Sequence, residues 1–118
     1  MDPEKLFDSL NNEASLKELN TFLQSHTLHV RKKKYISDAL RNIILTQKNQ
    51  NDEIAIEAIH CLGSDALWGT NNALWLEAQR EQLIAGKRIR LVEAIDELFG
   101  SKVAKGKIRY FVRRIKSN

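Results

Sequence analysis

The chain has 118 residues, 42% of them hydrophobic and 29% charged, with one proline, five glycines and a single cysteine. That is the size and balance of one globular domain able to bury its own core, which excludes a disordered chain and an internal disulfide framework. The net charge of +4 falls in blocks: two basic and five acidic side chains over residues 1–27 (net −3), six and one over 28–48 (+5), one and six over 49–86 (−5), and ten and three over 87–118 (+7).

Asp2 as N-cap and Pro3 at the first helical position predict a short helix over 3–10, with Leu6, Phe7 and Leu10 apolar. Asn11-Asn12 breaks it. Ser15-Leu16-Lys17-Glu18 reads as a capping box and starts a second helix carrying Leu16, Leu19, Phe22 and Leu23 on one face. A third helix is expected from Val30 to Gln47, with Ile36, Ala39, Leu40, Ile43 and Ile44 inward. Its other side begins with Arg31-Lys32-Lys33-Lys34 and adds Arg41. After the polar Asn49-Gln50-Asn51-Asp52, a fourth helix over 53–62 holds Ile54, Ala55, Ala58, Ile59 and Leu62 and stops at Gly63, a residue suited to the left-handed position after a helix. The next runs over 72–85 with Leu74, Trp75, Ala78, Leu83 and Ile84, and ends at Gly86. Another over 88–99 ends at Gly100. Ser101 caps the last, whose stripe is Ala104, Ile108, Phe111, Val112 and Ile115. Lys107 to Ile115 also alternates as a strand does, but the helical stripe accounts for more of its apolar residues. The fold expected is all-α, a single domain over 1–118 of six to seven helices.

Glu57-Ala58-Ile59-His60-Cys61-Leu62-Gly63-Ser64 is matched by Glu93-Ala94-Ile95-Asp96-Glu97-Leu98, then Gly100-Ser101, after one extra residue, Phe99. The offset is 36 residues, then 37. A period in this range marks stacked helix pairs, whose apolar stripes are buried by their neighbours. The pairs would be 15–47, 53–85 and 88–116. The segment Asn51–Gly63, with Asp52-Glu53 ahead of Ile54-Ala55-Ile56-Glu57-Ala58-Ile59, resembles the HEAT family of helical repeats, and residues 88–100 resemble it too. The resemblance implies an α-α superhelix. The plain alternative is a compact helical bundle.

Catalytic and metal chemistry find little support. The sequence has no Gly-rich phosphate loop, no His-x-x-x-His and no paired-cysteine spacing. His26 and His29 lie at a helix junction with no cysteine nearby. His60 and Cys61 are adjacent on a helix, so their side chains diverge by about 100° and do not form a catalytic pair. Asp52-Glu53 and Asp96-Glu97 sit among other charges, where carboxylates are solvated. The chain reads as a non-enzyme with no cofactor. Met1-Asp2-Pro3-Glu4 is not a secretory signal, no stretch is long and apolar enough to span a membrane, and one cysteine fits a reducing compartment, so a cytoplasmic setting is expected.

Two kinds of binding surface are expected. Trp68 and Trp75, seven residues apart, pack on the core or serve as anchors for a protein partner. Arg31, Lys32, Lys33 and Lys34, and the row Lys102, Lys105, Arg109, Arg113 and Lys116 at steps of three and four, offer phosphate contacts to DNA or RNA without base readout. Their ordinary role is a solvated face beside the acidic block 49–86. Interaction with a protein through a helical surface is the first expectation and nucleic-acid binding the second.

Overall fold

A computed structural model describes residues 8–105. Residues 8–10 are helical, and five helices follow: α1 (Glu13–Ser25), α2 (Val30–Gln47), α3 (Asp52–Leu62), α4 (Thr70–Ala85) and α5 (Ile89–Ala104). The fold is all-α, with no strand among the described residues. No helix among them is long and apolar enough to cross a membrane.

Asparagine caps start α1 and α3, while α2, α4 and α5 begin without a side-chain cap. Asn12, not Ser15, caps α1: its side-chain oxygen accepts from the Ser15 amide at 2.8 Å, so Ser15 lies inside the helix. Asn51 caps α3 in the same way, accepting from the Ile54 amide at 3.2 Å. Asparagine reaches the third amide of the helix as well as serine does, and in α1 it stands three residues before the expected cap.

The helix ends differ more from expectation. Gly63 does close α3, but at φ −83° its backbone is right-handed. What requires glycine there is space, because a Cβ would press into the Leu98 side chain of α5. Gly86 ends α4, also at φ −83°, while the left-handed residue is Lys87, at φ 59°. The Arg88 amide donates to the Leu83 carbonyl and the Lys87 amide to Ile84, which is a Schellman closure with lysine where glycine usually sits. Gly100 is not a stop at all. α5 continues through Gly100 and Ser101 to Ala104, so Ser101 caps nothing. A helical glycine costs only about 1 kcal/mol, and buried Phe99 and Lys102 on either side of it hold the helix to the core.

α3 is the centre of the fold. Its small residues Ala55 and Ala58 are fully buried, and α1, α2 and α5 all pack against it, while α4 packs against α5. Ile59 and Leu62 join Leu16, Leu23, Leu40, Ile43, Ile44, Leu76, Leu83, Leu91 and Ile95 in one apolar cluster. α3 and α5 run parallel. Asp52 and Glu53 at the start of α3 pair with Arg88 and Arg90 at the start of α5, and Gly63 meets Leu98 near their far ends. Asp52–Arg88 is 36 residues apart, and Glu53–Arg90 and Asp65–Lys102 are 37 apart.

Candidate interaction surfaces

The basic residues separate into three environments. Arg31, Lys32, Lys33 and Lys34 are all exposed in the first turns of α2, a position where the helix dipole disfavours cations and where His29 supplies no side-chain cap. Lys34 is neutralised by Asp38 at 2.7 Å. Arg31, Lys32 and Lys33 have no ion pair among the described residues. Lys33 also lines an open cleft of about 310 Å³ between the 24–28 loop region and Asp65-Ala66.

The second environment is saturated. Arg88 and Arg90 face Asp52 and Glu53, and Arg80 chelates Asp96 through two nitrogens at 2.5 and 3.2 Å. Donation of a hydrogen bond to Asp96 holds the Arg80 guanidinium above its ordinary pKa, and donation to Glu53 does the same for Arg90. Asp52–Arg88 and Glu53–Arg90 pair the acidic block with the basic one, as the ordinary reading of the charge blocks has it, whereas Arg80–Asp96 joins the two blocks in the opposite sense.

The third environment corrects the sequence reading. Lys102, expected at the head of an exposed row, is only 3% exposed. Its ammonium lies 5.3 Å from the Trp68 ring centroid and 3.4 Å from Asp65. The expected row assumed a new helix beginning at Ser101. Continuation of α5 instead turns this position inward, beside Phe99, whose ring meets Trp68 edge-on at 5.9 Å. A lysine tolerates such a site because its long apolar stem packs while the charge finds an aromatic face and a carboxylate. Lys105 is exposed at the end of α5. Arg109, Arg113 and Lys116, and the choice between helix and strand over 107–115, lie outside the described residues.

The two tryptophans have different surroundings. Trp68 belongs to the Phe99–Lys102 packing just described. Trp75 is half-buried on α4, with the Arg41 guanidinium of α2 over its ring at 5.3 Å. Arg41 donates through Nε (3.1 Å) and Nη2 (2.7 Å) to the Asn72 side-chain oxygen. Asn72 is itself buried, and its amide nitrogen donates to Ser37 Oγ at 3.1 Å and to the Leu67 carbonyl at 2.9 Å. Next to Trp75, Leu74 is 49% exposed, and Ala78 is exposed one turn on. Leu45, one turn beyond Arg41 on α2, is 43% exposed. The sequence singled out Trp75 but neither Arg41 as its partner nor Asn72 as the residue that holds Arg41. The contact spans 31 residues, and no local spacing signals it.

Cys61 is buried, its thiol donating to the Leu16 carbonyl at 3.2 Å. Burial, with Glu57 nearby, pushes its pKa up to about 12, which keeps the thiol protonated and poorly nucleophilic.

No protein-family model, curated protein or solved structure matches the chain.

Proposed function

We propose that this chain is a non-enzymatic binding module and that its main surface takes a protein partner through Leu74, Trp75 and Arg41. One observation carries the reading: an arginine is fixed over a half-buried tryptophan, and each helix has an exposed leucine within one turn along the chain, Leu45 after Arg41 and Leu74 next to Trp75. Trp and Arg are the residue types that dominate protein interfaces, and they do so when rigidly held in apolar surroundings. A stacked, HEAT-like scaffold is part of the proposal. The 36- and 37-residue offsets of the pairs between α3 and α5 support it, since they equal the offsets of the sequence match. The proposed setting is the cytoplasm, where a free thiol such as Cys61 stays reduced.

The nucleic-acid reading is the second. Arg31, Lys32 and Lys33, exposed and without an ion pair among the described residues, favour it. Burial of Lys102 and pairing of Arg88 and Arg90 leave fewer free cations in the described part of the chain.

Titration of labelled duplex and labelled single strand at low and at physiological salt tests the order of the two. The expected result is no micromolar binding at physiological salt and no effect of Trp75→Ala on any low-salt binding. Micromolar binding that weakens steeply with salt and is lost in an Arg31→Glu, Lys32→Glu, Lys33→Glu variant reverses the order.

A further inference from the structure

We infer that Arg41 is a carboxylate anchor, and that the partner is a protein segment with an aspartate or glutamate beside an apolar side chain. The inference rests on the reading of the Leu74–Trp75 face as a protein-binding surface and adds the chemistry of what it binds.

The stereochemistry of the guanidinium leads to it. Arginine has five N–H donors. Nε and Nη2, which form one edge of the plane, both point to the single Asn72 oxygen. The other edge, the Nη1–Nη2 fork, has no acceptor within the described residues. That fork has the geometry for two parallel bonds to a carboxylate. Asn72 cannot swing away to release Arg41, because its own amide nitrogen is committed to Ser37 and Leu67 inside the core. The group is therefore oriented before any partner arrives, and little side-chain freedom remains to be lost on binding.

The charge balance agrees. Asn72 is neutral, so Arg41 keeps its full positive charge, and no carboxylate pairs with it among the described residues. Arg80, Arg88 and Arg90 each meet a carboxylate of their own. Arg41 is also partly screened from water by the Trp75 ring, which strengthens any ion pair formed there.

The surroundings select a protein carboxylate over a polyanion. Leu74 and Leu45 are exposed and apolar, suited to an apolar neighbour of the acid. Glu81, exposed two turns along α4 from Leu74, repels a long run of phosphates. A nucleic-acid backbone needs a row of cations, whereas the side chains that hold Arg41 are a neutral amide and an indole ring.

Selection of displayed random peptides on the immobilised full chain tests the inference. The selected peptides are expected to share an Asp or Glu next to Leu, Ile, Phe or Trp. Changing that acid to its amide is expected to weaken binding roughly tenfold or more, the usual effect of losing a charged hydrogen-bonded pair. Arg41→Met is expected to cause the same loss for the acidic peptide and none for the amide peptide. Arg41→Lys recovers only a minor part, since an ammonium has no fork. The acid-to-amide comparison leaves the protein unaltered, so it stands even if an Arg41 variant fails to fold. Peptides that require Leu74 and Trp75 but neither the acid nor Arg41 overturn the carboxylate anchor and leave the protein-binding reading intact. Failure to select any peptide that depends on Leu74, Trp75 or Arg41 overturns both. Displacement of the peptides by single-stranded DNA also overturns the choice of a protein carboxylate.

Discussion

Gly63→Ala tests how closely α3 and α5 approach. At φ −83° alanine suits the backbone, and in open surroundings it stabilises by about 0.4–1 kcal/mol because the unfolded chain has less freedom to lose. The surroundings are not open. An alanine Cβ would stand 2.8 Å from Leu98 Cδ2 and 3.0 Å from Cγ, with Cδ1 closer still, whereas unstrained carbons sit about 3.5–4.0 Å apart. Leu98 is half-buried, so part of the clash is relieved by moving its side chain off its rotamer, at about 0.5–1.5 kcal/mol. The rest displaces α5, and overpacking of this kind costs about 1–3 kcal/mol. The expected net loss is about 1–2 kcal/mol in urea unfolding followed by helical circular dichroism. Leu98→Ala removes the colliding atoms. In that background Gly63→Ala is expected to change sign and stabilise by the few tenths to 1 kcal/mol of the chain-entropy effect. Equal loss in both backgrounds would refute the proposed contact.

Three further outcomes follow from the same structure. Gly100→Ala is expected to raise stability by about 0.5–1 kcal/mol, since the residue is inside α5 and a Cβ there meets nothing within 4 Å. A loss would mean that the helix ends at Gly100, as its sequence suggests. Lys102→Glu is expected to cost about 3 kcal/mol or more, by burying an acid beside Asp65, whereas Lys105→Glu changes stability by no more than about 0.5 kcal/mol. Equal, small effects would restore Lys102 to a solvated row. Cys61 is expected to resist a thiol reagent at pH 8 until the chain unfolds. Its raised pKa also implies stability that is intact below pH 9 and declines as pH rises toward 12, because the unfolded thiol ionises first. Cys61→Ala removes that part of the decline. An unchanged pH profile in this variant would contradict the assignment.

The helical fold was legible because its signals are local. The α2 stripe Ile36, Ala39, Leu40, Ile43 and Ile44 recurs at helical spacing over a stretch without glycine or proline, and its bounds match the expected Val30 to Gln47. Glycines were harder to interpret, since one residue type answers several needs. At Gly63 the need is a close approach from a residue 35 positions away. At Gly86 the left-handed turn falls one residue later, on Lys87. At Gly100 there is no need visible at all, and tertiary packing of Phe99 outweighs the propensity penalty.

The candidate surface was less legible, because it depends on which side chains meet across helices. Charge alone placed Lys102 on the surface, while the aromatic face that receives it, Trp68, lies 34 positions earlier. Arg41 was visible only as one more cation beside the Arg31–Lys34 cluster. Its distinction comes from Asn72 and Trp75 on another helix, and from having no carboxylate partner among the described residues.

The most direct test of the protein-binding claim is site-specific photocrosslinking from position 78, exposed one turn from Leu74 and Trp75. A benzophenone side chain there, in cells that express the chain, is predicted to give a discrete protein adduct. The adduct should vanish when Trp75→Ala or Arg41→Met is added and should not form from a probe at exposed position 97 on α5. No adduct from position 78, or the same pattern from both positions, would contradict the claim that this face is where the chain meets its partner.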